Sequence, residues 1–183
     1  MRVSRPPLST SPALVSRRSS AEPPCRVGRG EGADPLVASI DRHQGAVRGL
    51  EFNPSVSNLL ASGAGESDVF ITDLSNPGSP SVYSPGAKSS GPPSDISSVA
   101  WNRKVQHILA STSHSGLSVV WDLKLKKPVI SFQDPNNKTQ RNSVITWNPE
   151  AATEVLVASA DDRSPVLQIW DLRNATMPVR ELH

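Results

Sequence analysis

Residues 107–123 read HILASTSHSGLSVVWDL. Two short apolar runs, HILAST (107–112) and LSVVWDL (117–123), flank a polar turn at His114–Gly116. In the second run, apolar side chains occupy odd-numbered as well as even-numbered positions, so both faces of an extended strand would be largely apolar. Such a strand is typical of one that is buried on both sides. The stretch therefore predicts a hairpin with a doubly buried strand that ends in Trp-Asp.

The same arrangement occurs three times along the chain. The first unit contains AVRGLEFNP (46–54), NLLASG (58–63) and DVFITDL (68–74), the second contains ISSVAWN (96–102) before the stretch above, and the third contains SVITWNP (143–149), VLVASA (155–160) and VLQIWDL (166–172). A period in the forties, closed by Trp-Asp, is typical of the four-stranded blade of a WD40-type β-propeller. We take as structural repeat positions Phe52, Thr72, Asp73, Trp101, Trp121, Asp122, Trp147, Trp170 and Asp171.

The repeat predicts an all-β fold, an incomplete WD40-type propeller of about three four-stranded blades over residues 35–183. The predicted boundaries are blades at about 41–84, 95–133 and 141–183, with 35–40 as the outer strand of a missing blade. Small Ala-Ser pairs at 61–62, 110–111 and 158–159 are predicted to share one packing role where neighbouring blades come close.

Residues 1–34 have a different composition, rich in Arg, Ser and Pro, with no period of 2 or 3.6. They offer little apolar surface to offset the entropy of ordering, so we predict that they are disordered. A mitochondrial transit peptide is an alternative, but Pro6, Pro7 and Pro12 oppose the amphipathic helix that it requires.

Composition argues against several classes of function. The net charge of +2 gives no basis for a nucleic-acid surface, and no apolar run is long enough to span a bilayer. The lone Cys25 and four scattered histidines form no metal-ligand pattern, and no glycine-rich phosphate motif occurs. The acidic pair Asp161-Asp162 is most simply a solvated turn. We expect no enzyme activity, no cofactor and no metal. The alternative, an enzyme built on a propeller, would need acids, histidines or metal ligands that converge on a central channel.

Many WD40 blades carry a hydrogen-bonded tetrad of His, Ser or Thr, Asp and Trp. Its parts are scattered here: His43 precedes the first unit, where Thr72 replaces the Trp, whereas Pro92 and Gln140 stand at the His position before Trp121 and Trp170. We therefore expect blades held by packing more than by the tetrad.

Three longer segments point to one family. They are DRHQGAVRGLEFNP (41–54), PGAKSSGPPSDISSVAWNRKVQHILAS (85–111) and LVASADDRSPVLQIWDLR (156–173), and WNRKVQHILAS (101–111) is the most specific string. Residues 35–183 resemble the propeller of the larger outer-coat subunit of COPII vesicles, the Sec31 family.

The resemblance implies a structural component of the COPII outer coat that acts through protein contacts in transport from the endoplasmic reticulum to the Golgi. It implies as partners the smaller propeller subunit of the outer coat and the inner-coat subunits. The implied location is cytoplasmic, at endoplasmic-reticulum exit sites and on vesicle coats, with peripheral membrane association. A WD40 adaptor of another assembly, such as a ubiquitin ligase, is the alternative.

Two further expectations concern surfaces. Exposed loop residues between blades are candidates for partner contacts, namely Arg42, His43, Arg103 and Arg163. Because blades bury their faces against neighbours, three blades are expected to leave two faces bare, which would favour aggregation or recruitment of blades from another copy.

Overall fold

The computed structural model describes residues 36, 39–76, 78–85, 93–162 and 165–183. The predicted disordered segment 1–34, Pro92 and the candidate contact residue Arg163 lie outside the described residues. Of the predicted outer strand 35–40, Leu36, Ser39 and Ile40 are described, and none of them is in a strand.

The described residues form three four-stranded antiparallel sheets, and within each sheet every strand pairs with the strands next to it in sequence. The prediction of an all-β fold with three four-stranded blades is confirmed. The first blade contains β1 (Gly49–Phe52), β2 (Leu59–Gly63), β3 (Val69–Asp73) and β4 (Ser81–Tyr83); the second contains β5 (Ile96–Trp101), β6 (Ile108–Ser113), β7 (Ser118–Asp122) and β8 (Lys127–Phe132); the third contains β9 (Asn142–Trp147), β10 (Glu154–Ser159), β11 (Leu167–Asp171) and β12 (Arg180–Leu182).

Strand register defines which residues of the three blades are equivalent. The aromatic ends of the first strands, Phe52, Trp101 and Trp147, pair with Leu60, Leu109 and Val155 of the second strands. The same second-strand residues pair on their other side with Thr72, Trp121 and Trp170. The predicted repeat positions are therefore equivalent in space as well as in sequence.

One predicted equivalence is wrong. The register places Val157, paired with Gln168, where Ser62 and Ser111 pair with Phe70 and Val119. Ser159 lies two residues further along, so the Ala158-Ser159 pair does not share the role of the other two pairs. The physical reason is that apolar periodicity fixes which face a residue lies on, but a shift of two residues preserves the face.

The apolar core lies between the blades rather than within a single sheet. Between the first and second blades, Ala61 and Ile71 pack in one cluster with Trp101, Leu109 and Trp121. Between the second and third blades, the cluster contains the following buried side chains: Ala100, Ala110, Val120, Phe132, Ile145, Trp147, Val155, Val157 and Trp170. At each junction the second strand of the earlier blade contributes an alanine, Ala61 or Ala110, and the later blade contributes two tryptophans.

Candidate interaction surface

An asparagine follows each first strand, and two of the three asparagines join neighbouring blades. Asn102 folds its own turn, because its Oδ1 accepts the backbone N–H of Lys104 and of Val105, both at 2.8 Å. Its Nδ2 donates to the carbonyl oxygen of Ala152 in the third blade at 2.9 Å. A single buried side chain therefore shapes one turn and binds the next blade.

Asn53 repeats this arrangement one blade earlier. Its Oδ1 accepts the N–H of Ser55 and of Val56, and its Nδ2 donates to the carbonyl of Gln106 in the second blade at 2.8 Å. Asn148 shapes the equivalent turn of the third blade, but its Nδ2 donates to Glu154 Oε2 of its own blade. The three asparagines thus form the same kind of turn, but Asn148 differs in the partner of its amide donor and is less buried.

The first-strand tryptophans bond in the opposite direction. Trp101 Nε1 donates to the carbonyl of Glu51 at 3.0 Å, and Trp147 Nε1 donates to the carbonyl of Ala100 at 2.9 Å. Both acceptors immediately precede the aromatic residue of the preceding blade. Phe52 occupies the same place in the first blade and has no N–H to donate.

The aspartates that close the third strands form turns. Asp73 accepts the N–H of Ser75 and Asp122 accepts that of Lys124, and Asp171 does the same with Arg173. Hydrogen bonds from the Ser75 hydroxyl and N–H and from Asn58 hold the pKa of Asp73 below its usual value. Hydrogen bonds from Arg173 lower the pKa of Asp171. These carboxylates have structural partners, which fits turn formation rather than acid-base chemistry.

The parts of the tetrad are distributed over the blades. In the second blade Trp121 Nε1 donates to Ser111 Oγ at 2.9 Å. In the first blade, which has no Trp, His43 Nε2 and Ser62 Oγ lie 2.7 Å apart. In the third blade Trp170 Nε1 is buried without a partner, because Val157 occupies the place of the serine.

His43 does not match the exposed contact residue predicted from the sequence. It is half-buried, bonded to Ser62 and packed edge-on against Phe70 with ring centroids 4.9 Å apart. Burial lowers its pKa because the imidazolium loses solvation, and the charge of Asp68 opposes this in part. The segment before the first strand is therefore packed onto the blade at His43. The sequence gave no sign of this contact, because the residues next to His43 are polar or charged.

A buried polar network replaces the tetrad histidine at the junction of the second and third blades. Asn142 Nδ2 donates to Thr112 Oγ1 and to the carbonyl of Gly116, both at 3.0 Å. Gln140 Nε2 reaches Asn142 Oδ1 at 3.4 Å, and all of these side chains are buried. This network helps to fix the junction, and it includes Gln140, which stands at the tetrad His position of the third blade.

The other candidate contact residues lie at opposite ends of the first strands. Arg42 is exposed and precedes β1, whereas Arg103 follows β5 and pairs with Glu51 at 3.3 Å. First strands of successive blades run in the same sense, so the two arginines lie on opposite sides of the blades. The structure does not bring the predicted contacts together into one patch.

Two outer blade faces carry exposed apolar side chains. We call the side of a blade that meets the preceding blade its front face and the other side its rear face. On the front face of the first blade, Leu50 is 62% exposed and Phe52 is 55% exposed. On the rear face of the third blade, Val144 and Leu167 are exposed as well.

The described residues were compared with two kinds of functional site, a metal site and a membrane span. No group of three or more His, Cys, Asp or Glu among them is placed to hold a metal ion. In the same part of the chain, no helix has the length and apolarity required to cross a membrane. What the arrangement provides is three packed blades with exposed turns between their strands.

Comparison with known proteins gives specific relatives, although no family model matches the chain. The protein transport protein SEC31 of Dictyostelium discoideum is 47% identical over 155 residues, which is 85% of this chain and 11% of that protein. The chain therefore spans about a tenth of this relative's length.

Solved structures agree with the fold. A chain of the structure "COPII on membranes, outer coat vertex" matches with a TM-score of 0.67 and 36% identity, covering 76% of this chain and 38% of that one. The Cps50 (Swd1) β-propeller domain of Myceliophteria thermophila matches with a TM-score of 0.56 at 23% identity over 77% of this chain and 39% of that one, which supports the propeller fold alone.

Proposed function

The chain is a homologue of the Sec31 protein transport proteins, and we propose that it is a structural, non-enzymatic component of the COPII outer coat. In this role it serves vesicle transport from the endoplasmic reticulum to the Golgi through contacts with other coat proteins. It is cytoplasmic and associates peripherally with membranes at exit sites and on vesicle coats.

One observation carries this proposal. The described blades match, at 36% identity, a chain of an outer-coat vertex assembled on membranes. The blade junctions explain how such a part can bear load, because each is fixed by an apolar cluster and by hydrogen bonds in both directions. A rigid set of blades can hold its turns in fixed positions for neighbouring coat subunits.

The partners proposed are the smaller propeller subunit of the outer coat and the inner-coat subunits. For a contact residue we favour Arg103 over Arg42. The Arg103 guanidinium is held by Glu51 yet remains about half exposed, so it is both oriented and available to an acidic partner. Lys104 next to it pairs with Glu150 and adds positive charge to the same turn.

The test is recruitment of the purified, fluorescently tagged chain to COPII coats assembled on liposomes, measured by flotation. We expect the chain to float with coated liposomes and not with naked ones. Absence of recruitment to complete coats would refute the coat function.

Arg103→Gln tests the contact separately. Arg180→Gln is the matched control, because Arg180 is also an exposed arginine but lies in the outer strand β12. We expect a several-fold loss of recruitment for Arg103→Gln alone. Equal recruitment of both variants would leave the coat function standing and reject Arg103 as the contact.

A further inference from the structure

The turn that leads from β7 into β8 of the second blade combines positive charge with an exposed apolar side chain. Residues 124–127 read KLKK, and all four residues are exposed. Leu125 is 59% exposed. The second blade packs against a neighbouring blade on each side, so this turn is exposed although its blade is enclosed. We call residues 124–127 the lysine turn.

Hydrogen bonds fix the backbone of the lysine turn. Asp122 Oδ1 accepts the N–H of Lys124 at 2.8 Å and that of Leu125 at 3.0 Å. The N–H of Leu123 donates to the carbonyl of His107 at 2.9 Å, and the Leu123 side chain packs against the apolar cluster between the first and second blades. One leucine therefore anchors the turn, and the other remains exposed. A turn that is already ordered loses little conformational entropy when it binds a partner.

Lys126 has a backbone conformation that favours glycine. Its φ is +51°, in the left-handed region that a residue with a Cβ adopts at a cost in free energy. A glycine at this position would avoid the cost but would lack the ammonium group. Backbone strain of this kind occurs where a side chain has a function, so the strain is a reason to look for a role of the lysine.

The three ammonium groups of the lysine turn have no carboxylate partner among the described residues. Arg103 and Lys104 of the same blade, by contrast, pair with Glu51 and Glu150. Asp122, which precedes the turn, uses its Oδ1 to accept two backbone N–H groups. The positive charge of the lysine turn is therefore available to an acid from outside the blade.

The equivalent turns of the other two blades lack this combination. In the first blade, the described residues of the β3–β4 turn, 74–76 and 78–80, carry no charge. In the third blade, the β11–β12 turn carries one basic residue, Arg173, which pairs with Asp171. On this edge of the blades, unpaired positive charge beside an exposed leucine is thus confined to a single turn.

We propose that the lysine turn binds a short acidic segment of a partner protein, in which carboxylate side chains flank an apolar one. The carboxylates pair with the lysines, and the apolar side chain covers Leu125. The inference does not rest on the coat function and is separate from the contact proposed for Arg103. An anionic membrane fits less well, because it would also meet Glu150, whose side chain is 87% exposed on the same edge.

The experiment measures binding of the full chain to a labelled peptide by fluorescence anisotropy. The probe has the sequence Gly-Glu-Glu-Leu-Glu-Glu-Gly, and the ionic strength is about 0.15 M, at which long-range attraction is screened. We expect saturable binding, and a peptide with Ser in place of Leu should bind several-fold more weakly. Absence of binding, or equal binding of the two peptides, would overturn the proposal.

Two double variants of equal charge locate the contact. Lys124→Gln with Lys126→Gln removes two charges from the lysine turn, and each loss should weaken binding about threefold. Lys138→Gln with Arg141→Gln is the matched control, because both residues are exposed but lie between β8 and β9, on the opposite edge. The control should bind like the unmodified chain. Equal affinities of the two double variants would show that the lysine turn is not the site.

Lys126→Gly separates the ammonium group from the fold of the turn. We expect weaker peptide binding together with a melting temperature that is no lower than that of the unmodified chain, because glycine accepts the positive φ. Unchanged binding would contradict the proposal.

Flotation with vesicles of phosphatidylserine and phosphatidylcholine tests the membrane directly. We expect no binding of the chain to these vesicles. Vesicle binding that requires Lys124 and Lys126, without peptide binding, would replace the acidic segment by a lipid surface.

Discussion

Replacing the asparagine that links two blades is predicted to cost more than replacing its equivalent in the last blade. Asn102→Ala removes the donor to the Ala152 carbonyl and the acceptor for two backbone N–H groups. Each hydrogen bond contributes about 1 kcal/mol net, and buried groups left without partners add to the loss. Because Asn102 is only 1% exposed, water cannot replace these bonds, and we expect a loss of about 3 kcal/mol.

Asn148→Ala is the matched control within the same chain. This substitution removes the same kind of turn-forming hydrogen bond, but the amide of Asn148 donates to Glu154 of its own blade, and the residue is half-buried. Water can replace most of these bonds, so the expected loss is about 1 kcal/mol. The difference between the two variants, about 2 kcal/mol, comes from the bond between blades together with the deeper burial of Asn102.

The assay is thermal unfolding followed by circular dichroism at one fixed protein concentration. For a chain of this size a loss of 1 kcal/mol lowers Tm by about 2 to 4 °C, so Asn102→Ala should melt about 4 to 8 °C below Asn148→Ala. Equal melting temperatures would refute the reasoning, because they would show that the link between blades adds nothing to the turn.

Three further predictions use other matched positions. Trp121→Phe should lower the free energy of unfolding by about 1 kcal/mol, because it removes the hydrogen bond to Ser111. Trp170→Phe should cost less, because Nε1 of Trp170 has no partner. A urea titration in which Trp170→Phe is the less stable variant would contradict this prediction. The pKa of His43 is lower in the folded chain than in the unfolded chain, so the unfolded chain binds more protons and the free energy of unfolding should fall as the pH falls below about 6.5. His43→Gln should make the free energy of unfolding depend less on pH in this range. The same pH dependence in the variant and the unmodified chain would reject this prediction. Gly116→Ala should destabilise the chain by more than about 2 kcal/mol, because the φ angle of Gly116 is +82° and an added Cβ would lie 2.4 Å from the backbone oxygen of Gln140. Gly78→Ala is the control and should be nearly neutral. Similar melting temperatures of the two variants would count against backbone strain at Gly116.

The blade pattern could be predicted from the sequence because it depends on local alternation. The strand that ends at Asp122 and the equivalent strands that end at Asp73 and Asp171 are each bounded by turn formers, so their position follows from the repeat alone. The third blade was misaligned by two residues at Ser159 because such a shift leaves side chains on the same face. Only the observed register, with Val157 opposite Gln168, reveals the difference.

The inter-blade asparagines were missed although a signal was present. Asn53, Asn102 and Asn148 each follow the aromatic residue of a first strand, so the dipeptides FN, WN and WN repeat with the blades. The role cannot be derived from that repetition, because the acceptors lie about 50 residues later in the chain. Likewise, the distance between Arg42 and Arg103 along the chain gave no indication that they lie on opposite sides of the blades.

The distribution of hydrogen bonds explains why scattered tetrad residues are tolerated. The tetrad bonds lie within a blade, where neighbouring strands are already joined by backbone ladders, so the loss of Trp at Thr72 or of Ser at Val157 removes a redundant contact. Bonds between blades have no backbone ladder to support them. At these junctions Asn53 and Asn102 bind forward, and Trp101 and Trp147 bind backward, in every case that the described residues contain. Substitution should therefore be better tolerated at the third-strand Trp positions than at the first-strand ones. A Trp101→Phe variant that is no less stable than Trp121→Phe would contradict this ordering, because it would place the important contacts inside the blade.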